Sequence, residues 1–265
     1  MNYSTFTQQV VNLCRGVGKF IRDESGRIKL SDIEQKGVHD LVSYVDKRAE
    51  QMLIDELKKL IPEAGFIAEE SGIVESVVYR WIIDPLDGTT NFVHKIPLFS
   101  ISIALQENGQ TVIGVVYEIN LDECFYAWKN GPAYLNGSKI CVSPTNTLTD
   151  SLIATGFPYY DFSRLPAYLE FLGYLIQKTR GIRRLGSAAV DLAYVACGRF
   201  EAFYEYGLHP WDVAAGAFIV EQAGGQLSGF DGGKDVVFGK DIIASNTLVH
   251  NEILDKIKVY FKPVV

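Results

Sequence analysis

Two aspartates three positions apart, Asp84 and Asp87, are the residues whose types and spacing first suggest chemistry. They stand in the stretch WIIDPLDGTTNF, residues 81–92, where three large apolar residues run directly into the acids. Two carboxylates some 4 Å apart repel each other by about 1 kcal/mol in water and by about 4 kcal/mol at a partly screened site. Their convergence therefore requires a compensating cation or a raised pKa. Taken alone, the segment DPLDG has a plainer interpretation, which is a turn followed by a helix cap.

Further acids stand at the ends of other predicted elements. Glu69 and Glu70 follow the apolar run FIA, and Asp212 follows Trp211 at the start of a segment rich in small residues. Asp46 lies near the start of a predicted helix. An acid at a helix N-terminus is ordinarily explained by capping and by the helix dipole, so Asp46 and Asp212 indicate nothing more when each is taken singly.

The elements that must position these acids follow from the spacing of apolar residues. A 3.6-residue period predicts helices from Thr5 to about Asp23 and from Val45 to Leu60. Short strands are predicted at 65–70 and 79–84, each ending in acids, and residues 99–129 read as an antiparallel meander. The second half of the chain gives helices at 165–177, 187–196 and 213–223, strands at 199–206 and 241–244, and a last helix from about Val249.

Strands and helices are grouped without a regular βαβ repeat, which favours an α+β fold over a doubly wound parallel sheet. The segment SPTNTLTDS, residues 143–151, is the one seam visible in the sequence. We therefore expect an N-terminal half at 1–145 that carries most of the clustered acids, and a C-terminal half at 146–265 that completes the site. The two halves are expected to form one compact unit.

Composition excludes several classes of protein. The 265 residues are 48% apolar, which suffices for a core. A net charge of −7 argues against nucleic-acid binding, and the arginines of RGIRRLG, residues 180–186, are read as surface or phosphate contacts.

No apolar run approaches the roughly 20 residues that cross a bilayer, and the N-terminus lacks signal-peptide features, so a cytoplasmic location is expected. The four cysteines lack CxxC spacing, which predicts reduced, buried thiols.

Five segments in order resemble the inositol monophosphatase family, part of the magnesium-dependent, lithium-sensitive phosphatase superfamily. WIIDPLDGTTNF is similar to the family's first signature and WDVAAGAFIVEQAGG to its second. FIAEES, DLVSYVD and GSAAVDLAYVACGRFEAFYE also fit the family pattern in order and spacing. The resemblance implies a layered αβαβα sandwich of the sugar-phosphatase type, in a homodimer.

The resemblance also implies a magnesium site of two to three ions. Its ligands would be Glu69, Asp84, Asp87 and Asp212, together with the backbone carbonyl of Leu86. Asp84 would bridge two ions, and Glu69 would also face a third. All of these donors are hard oxygens, which suit Mg²⁺, whereas zinc would be expected to recruit His or Cys.

Catalytic roles follow from the same resemblance. The attacking water would be oriented by the hydroxyl of Thr89, held by Asp46, with Glu70 as a second support. The phosphate would lie against the backbone N–H groups around Gly88 and Thr89, at a helix N-terminus. Because no Ser or Cys nucleophile is required, we expect direct attack by water with inversion at phosphorus.

The substrate alcohol would meet a set of residues that also match the family. They are Asp87, Gly186, Ser187, Ala188, Glu205 and Asp212. Carboxylates that accept hydrogen bonds from neighbouring hydroxyls suit a polyol such as inositol 1-phosphate. His209 and Lys36 also match family positions, but a structural His and a solvated Lys explain them equally well. The loop GFPYYDFSRLP, residues 156–166, could reshape specificity, although packing is the expected use of Phe157 and Tyr159.

Other phosphatase families and binding proteins without catalysis are the alternative classes. Haloacid-dehalogenase phosphatases carry an Asp-x-Asp run, but the acids here are separated by two residues. Within the superfamily, fructose-1,6-bisphosphatase or dual sugar-phosphatase activity is the main alternative, and bisphosphate nucleotidases usually have longer chains. A binding protein without catalysis would be favoured by the loss of Asp84, Asp87 or Asp212, all of which are present.

Overall fold

Helices and strands stack in five layers, with two sheets between three pairs of helices, in the computed structural model of the chain. The structure describes residues 2–28, 33–35, 41–159 and 161–261, with the backbone alone for 33–35 and 41–42. The helices are α1 (Tyr3–Ser25), α2 (Tyr44–Leu60), α3 (Thr89–Val93), α4 (Leu165–Lys178), α5 (Ala188–Ala196), α6 (Pro210–Gln222) and α7 (His250–Tyr260).

The strands of the first half form a hairpin and an eight-stranded sheet. The hairpin pairs β1 (Ile33–Gln35) with β2 (Leu41–Ser43). The sheet contains β3 (Gly65–Ala68), β4 (Gly72–Val74), β5 (Tyr79–Asp87), β6 (Ser100–Glu107), β7 (Gln110–Glu118), β8 (Glu123–Trp128), β9 (Tyr134–Leu135) and β10 (Ser138–Lys139). Its strand order is β10-β9-β8-β7-β6-β5-β3-β4.

The strands of the second half form a five-stranded mixed sheet. Its members are β11 (Leu152–Thr155), β12 (Gly181–Arg183), β13 (Ala202–Tyr206), β14 (Gln226–Ser228) and β15 (Asp241–Ser245). Its strand order is β12-β11-β13-β15-β14, with β11 parallel to both of its neighbours.

Three hydrophobic cores hold the five layers together. The first lies between α1, α2 and one face of the large sheet, and includes Trp81 and Phe92, both fully buried. The third lies between the small sheet and helices α4 and α7, and includes Tyr168 and Phe171. The fold therefore confirms the α+β class and the αβαβα sandwich that the sequence predicts.

The middle core explains why α5 and α6 carry apolar or small residues on almost every face. These two helices lie between the sheets, where Leu192 of α5 and Phe218 of α6 share a core with Ile82 of the large sheet and Phe203 of the small sheet. A helix that is buried on every face needs no polar stripe. Gly216 lets the two helices approach closely, since a Cβ there would lie 2.6 Å from Cβ of Leu192.

Differences from the sequence-based prediction are confined to ends and short strands. The long helices shift by a few residues at either end, and residues 99–129 form the predicted antiparallel meander. The strand predicted at 65–70 ends at Ala68, since the chain turns at Glu69 and Glu70 and returns antiparallel through β4. The division of the chain at residue 145 stays a prediction.

The structure also tests the predictions about buried cysteines and membrane-spanning helices. All four thiols are free, and Cys14 and Cys124 are buried as predicted. Cys141 is exposed and Cys197 half-buried, so burial was wrongly predicted for these two. In the part of the chain that the structure describes, no helix combines the length and the hydropathy needed to cross a bilayer.

His250 is buried at the start of α7, which leads to a prediction about stability. Its ring nitrogens lie 2.9 Å from Oγ of Ser228 and 2.8 Å from Oγ of Ser245, and burial lowers the pKa of His250 from 6.5 to about 4. The unfolded chain therefore binds a proton between these pH values that the fold does not bind. This part of the stability is complete above pH 6.5 and is lost as the pH falls towards 4.

We expect wild type to lose on the order of 3 kcal/mol relative to His250→Gln between pH 7 and pH 4. Urea midpoints of both proteins, measured at half-unit steps of pH, report this difference, and comparison with the variant cancels the titration of every other group. The exposed His94 provides the control substitution His94→Gln. Parallel pH curves for wild type and His250→Gln would contradict the assignment.

Candidate active site

A β-bulge in β5 brings Asp84 and Asp87 to the same side of the sheet. In a regular strand, residues three apart point to opposite faces. Here Asp84 pairs with Ser102 and Asp87 with Ser100, so that three steps along β5 match two along β6. The extra residue reverses the alternation, and Pro85 fits there because it has no N–H to donate. Both aspartates consequently line one cavity.

Four of the predicted metal ligands meet at this cavity. Its lining includes Asp84 and Asp87 from β5, Glu69 from the turn after β3, and Asp212 from the first turn of α6. Burial raises the pKa of Asp84 well above its usual range, and the charges of Glu69, Asp87 and Asp212 add to this effect. The pKa of Asp212 rises for the same reasons, burial first and then the charge of Asp87.

Asp87 is also withdrawn from bulk water, and its pKa rises to about 6 although several donors oppose the shift. The strongest opposing contact is the hydroxyl of Ser187, which donates to Oδ2 of Asp87 at 2.6 Å. The N–H of Ala189, in the first turn of α5, donates to the same oxygen at 2.8 Å. Asp87 therefore joins the bulge of the large sheet to the start of α5.

The chemistry of this donor set fits a hard divalent cation. One oxygen of Asp84 accepts from the N–H of Leu86 at 2.9 Å, and one of Asp212 accepts from the N–H of His209 at 2.7 Å. Neither carboxylate receives a second hydrogen bond from a described residue. A bound cation would relieve the repulsion between these carboxylates and would be ligated by their remaining oxygen atoms. Among the described residues, however, no three His, Cys, Asp or Glu side chains are already arranged to hold a metal ion.

The second feature of the cavity is Thr89 in its wall, which is hydrogen-bonded to the buried Asp46. The hydroxyl of Thr89 lies 3.1 Å from Oδ1 of Asp46 and 2.9 Å from the carbonyl oxygen of Leu86. Asp46 is fixed by Ser43, whose N–H and hydroxyl donate to its other oxygen at 2.9 and 2.6 Å in a capping box at the start of α2. Burial raises the pKa of Asp46 despite these bonds. The sequence-based pairing of Thr89 with Asp46 is present.

Gly88 connects the bulge to α3 with φ of 96°, which favours glycine. A Cβ there would lie 3.2 Å from the carbonyl oxygens of Gly186 and Leu98, so the three turns pack directly against one another. Helix α3 is only five residues long. This turn can therefore bind an anion through the N–H groups around Gly88 and Thr89, and not through the dipole of a long helix.

The residues predicted to meet the substrate alcohol also line this cavity. Gly186, Ser187, Ala188 and Glu205 all line the cavity together with Asp87 and Asp212. Ser187 caps α5 and lies 3.1 Å from the hydroxyl of Ser100. Glu205 at the end of β13 is 7% exposed, and burial raises its pKa to about 8. A carboxyl group whose pKa is raised in this way can, when protonated, donate a hydrogen bond as well as accept one.

Three predicted residues stand apart from this set. The N–H of Glu70 donates to Glu50 at 2.9 Å, and Glu70 is not among the described residues that line the cavity, so its supporting role stays a prediction. His209 lines the cavity and stacks on Trp211, with ring centroids 4.7 Å apart. Lys36 lies outside the described residues.

Sequence reasoning missed two charged residues of the cavity wall, Arg184 and Asp191. Of the three arginines in 180–186, Arg180 pairs with Asp150 at the surface and Arg183 is exposed, whereas Arg184 turns inward. The sequence did indicate a special role for Asp191, because an acid within AAVDLAYVA is unusual in a buried helix. Phe157 and Tyr159 were expected to pack in the interior. Both keep a third or more of their surface exposed, however, and both lie against Arg184.

Comparison with known proteins agrees with this geometry. The chain is 41% identical over 245 residues to the fructose-1,6-bisphosphatase/inositol-1-monophosphatase of Thermotoga maritima, covering 92% of each chain. It is 40% identical over 246 residues to the Nus factor SuhB of Escherichia coli, again covering 92% of each. Among solved structures, the extragenic suppressor protein suhB from Bartonella henselae superposes with a TM-score of 0.92 at 38% identity, covering 98% of this chain and 100% of that one.

The family follows from a match over nearly the whole length. Residues 2–259 match the inositol monophosphatase family, a span that contains the bulge, the acids around it and the walls of the cavity. The chain belongs to the inositol monophosphatase family.

Proposed function

We propose that this protein hydrolyses phosphate monoesters of small polyols or sugars with the help of Mg²⁺, and that inositol 1-phosphate is its substrate. The observation that carries the proposal is the meeting of Asp84, Asp87, Asp212 and Glu69 beside the Thr89 hydroxyl in one cavity. Hydrolysis of a phosphate monoester demands electrostatic stabilisation of the transition state and a positioned water molecule. Membership of a phosphatase family supports the reaction class.

The metal would be held by Glu69, Asp84, Asp87, Asp212 and the carbonyl of Leu86. Bound Mg²⁺ supplies positive charge to the phosphate oxygens and to the attacking water. The protein's own contribution is to keep these oxygens converged at the bulge, at the cost of the repulsion that raises the pKa of Asp84. Two to three ions per site are proposed.

Thr89 and Asp46 would orient the attacking water. A hydroxyl has one proton to donate and two lone pairs, so Thr89 can donate to Asp46 and still accept from a water molecule. Asp46 cannot swing away because Ser43 holds its second oxygen. Attack by water implies inversion at phosphorus, and retention of configuration with a chiral ¹⁸O-labelled ester would contradict it.

The second candidate is fructose-1,6-bisphosphatase or dual activity. It is favoured by the 41% identity to the Thermotoga maritima protein that carries both names. The same carboxylates would act in either reaction, so the alternatives differ only in how the cavity wall meets the alcohol.

Phosphate release from a panel of esters tests the proposal. The panel contains inositol phosphates, fructose 1,6-bisphosphate and adenosine 3′,5′-bisphosphate, each with Mg²⁺, with chelator, and with Mg²⁺ plus Li⁺. We expect fastest release from inositol 1-phosphate, loss of activity with chelator and inhibition by Li⁺. Absence of release from every ester by folded protein with Mg²⁺ would overturn the proposed function.

We also propose a cytoplasmic homodimer without a nucleic-acid partner. The net charge of −7 supports the last point. The relative from Escherichia coli is named a Nus factor, so RNA remains the partner to test first. Sedimentation of the protein alone and with RNA reports both the oligomeric state and any complex.

A further inference from the structure

Asp191 is a buried acid that the proposed chemistry does not use. It lies in the first turn of α5, is 1% exposed and lines the cavity. No described residue donates a hydrogen bond to its carboxyl group, and its Oδ1 is buried without a partner. Buried polar atoms are rarely left unpaired in folded proteins, so an unpaired carboxyl at a cavity wall calls for a ligand that donates to it.

Arg184, whose charge acts on this acid, is packed against two aromatic rings. Its guanidinium lies over the rings of Phe157 and Tyr159, 5.4 and 5.5 Å from their centroids, and Nη2 donates to the hydroxyl of Tyr159. At Gly186 a Cβ would lie 2.7 Å from Nη1, so glycine leaves room for the guanidinium against the turn. Nε is buried without a partner, like Oδ1 of Asp191.

One arginine and three carboxyl groups share this end of the cavity. Of the described residues that line the cavity, Arg184 is the only lysine or arginine. It faces Asp87, Asp191 and Glu205, and its positive charge acts on all three. A second phosphate placed here would meet Asp191 and Glu205 as well as the arginine. A neutral alcohol whose hydroxyls both donate and accept satisfies these groups without adding charge.

We propose that Asp191 and Arg184 bind the alcohol part of the substrate, so that the cavity selects monoesters of neutral, hydroxyl-rich alcohols over esters with a second phosphate. Asp191 accepts a hydrogen bond from one hydroxyl, and Arg184 donates to an oxygen of the same molecule. This inference rests on the proposed function and names two specificity-determining residues for it. Phe157 and Tyr159 contribute by holding the guanidinium in place.

Inhibition by free myo-inositol isolates this part of the site. The probe reaction is hydrolysis of p-nitrophenyl phosphate with saturating Mg²⁺, because that leaving group carries no additional hydroxyls. We expect myo-inositol to inhibit wild type competitively, and Asp191→Asn to weaken this inhibition by about 10- to 100-fold, as for the loss of a hydrogen bond to a charged group. The loss of kcat/KM in Asp191→Asn should be larger for inositol 1-phosphate than for p-nitrophenyl phosphate, whose leaving group has no additional hydroxyl for this residue to bind.

Arg184→Gln is the second variant, and Arg183→Gln is its matched control from the exposed neighbouring position. Only Arg184→Gln should weaken inhibition by myo-inositol. Asp191→Asn should also raise kcat/KM for fructose 1,6-bisphosphate relative to inositol 1-phosphate, since it removes a carboxyl group that, when ionised, repels a second phosphate.

Three outcomes are decisive. Unchanged inhibition by myo-inositol in both variants overturns this inference and leaves the proposed function intact. Equal losses on p-nitrophenyl phosphate and inositol 1-phosphate assign Asp191 to general support of the site and overturn the inference as well. Inactivity of wild type on every ester refutes the proposed function instead.

Discussion

Replacing Asp84 with asparagine should reduce phosphate release by about 10³-fold or more at moderate Mg²⁺. An effect of this size is expected when an enzyme loses a preorganised charge in its active site. Asp84 is 2% exposed and occupies the centre of the acidic group, where burial and the charges of Glu69, Asp87 and Asp212 raise its pKa. Asparagine keeps the shape and the oxygen that accepts from Leu86, but it removes the negative charge that is proposed to hold the metal. The loss should appear in kcat and in the Mg²⁺ dependence.

The same substitution should have the opposite effect on stability without metal. Asparagine relieves the repulsion among the carboxylates, so Asp84→Asn without Mg²⁺ should unfold at a higher temperature than wild type. Mg²⁺ should raise the unfolding temperature of wild type and leave that of the variant nearly unchanged. Asp255→Asn, on the exposed face of α7, is the control. Near-normal turnover of Asp84→Asn would refute the bridging role.

Replacing Thr89 with valine should reduce kcat by about 10²- to 10³-fold with a small change in KM, because it removes a group that acts on the attacking water. Valine has nearly the same shape as threonine and keeps the packing of the turn. The carboxylates of the bulge are unchanged, so binding of Mg²⁺ measured by calorimetry should match that of wild type. A loss in kcat without a loss in metal affinity separates the role of Thr89 from that of Asp84.

The control for this experiment is Thr111→Val, since Thr111 is a half-buried residue of β7 away from the cavity. Asp46→Asn should act in the same direction as Thr89→Val, and the double variant should lose little more than either single one, because the two side chains act as a unit. Additive losses would contradict the hydrogen-bonded pair at 3.1 Å as the functional unit.

The fold was predictable where the sequence carries periodic patterns. Helix α1 and the meander of β6, β7 and β8 have apolar residues at helical or alternating spacing, and the structure places them within a few residues of the prediction. Strands β9, β10 and β12 contain two or three residues each. Segments that short hold no period, and their pairing depends on neighbours that sequence patterns do not reveal.

The acids of the site were predictable as a group, but their geometry was not. The spacing of Asp84 and Asp87 would place them on opposite faces of a regular strand, and only the register shift against Ser100 and Ser102 reverses this. The three arginines of residues 180–186 gave no basis for choosing Arg184, because the direction of its side chain depends on Phe157 and Tyr159, which lie more than twenty residues earlier in the chain.

Diffraction from crystals soaked in Mn²⁺ tests the central claim most directly, since anomalous scattering locates the ion without any assumption about the reaction. The account predicts peaks between Asp84, Asp87 and Asp212, with a further ion near Glu69, and their disappearance in Asp84→Asn crystals. A folded protein whose anomalous map is empty at the bulge, or whose ions lie only elsewhere, would contradict it.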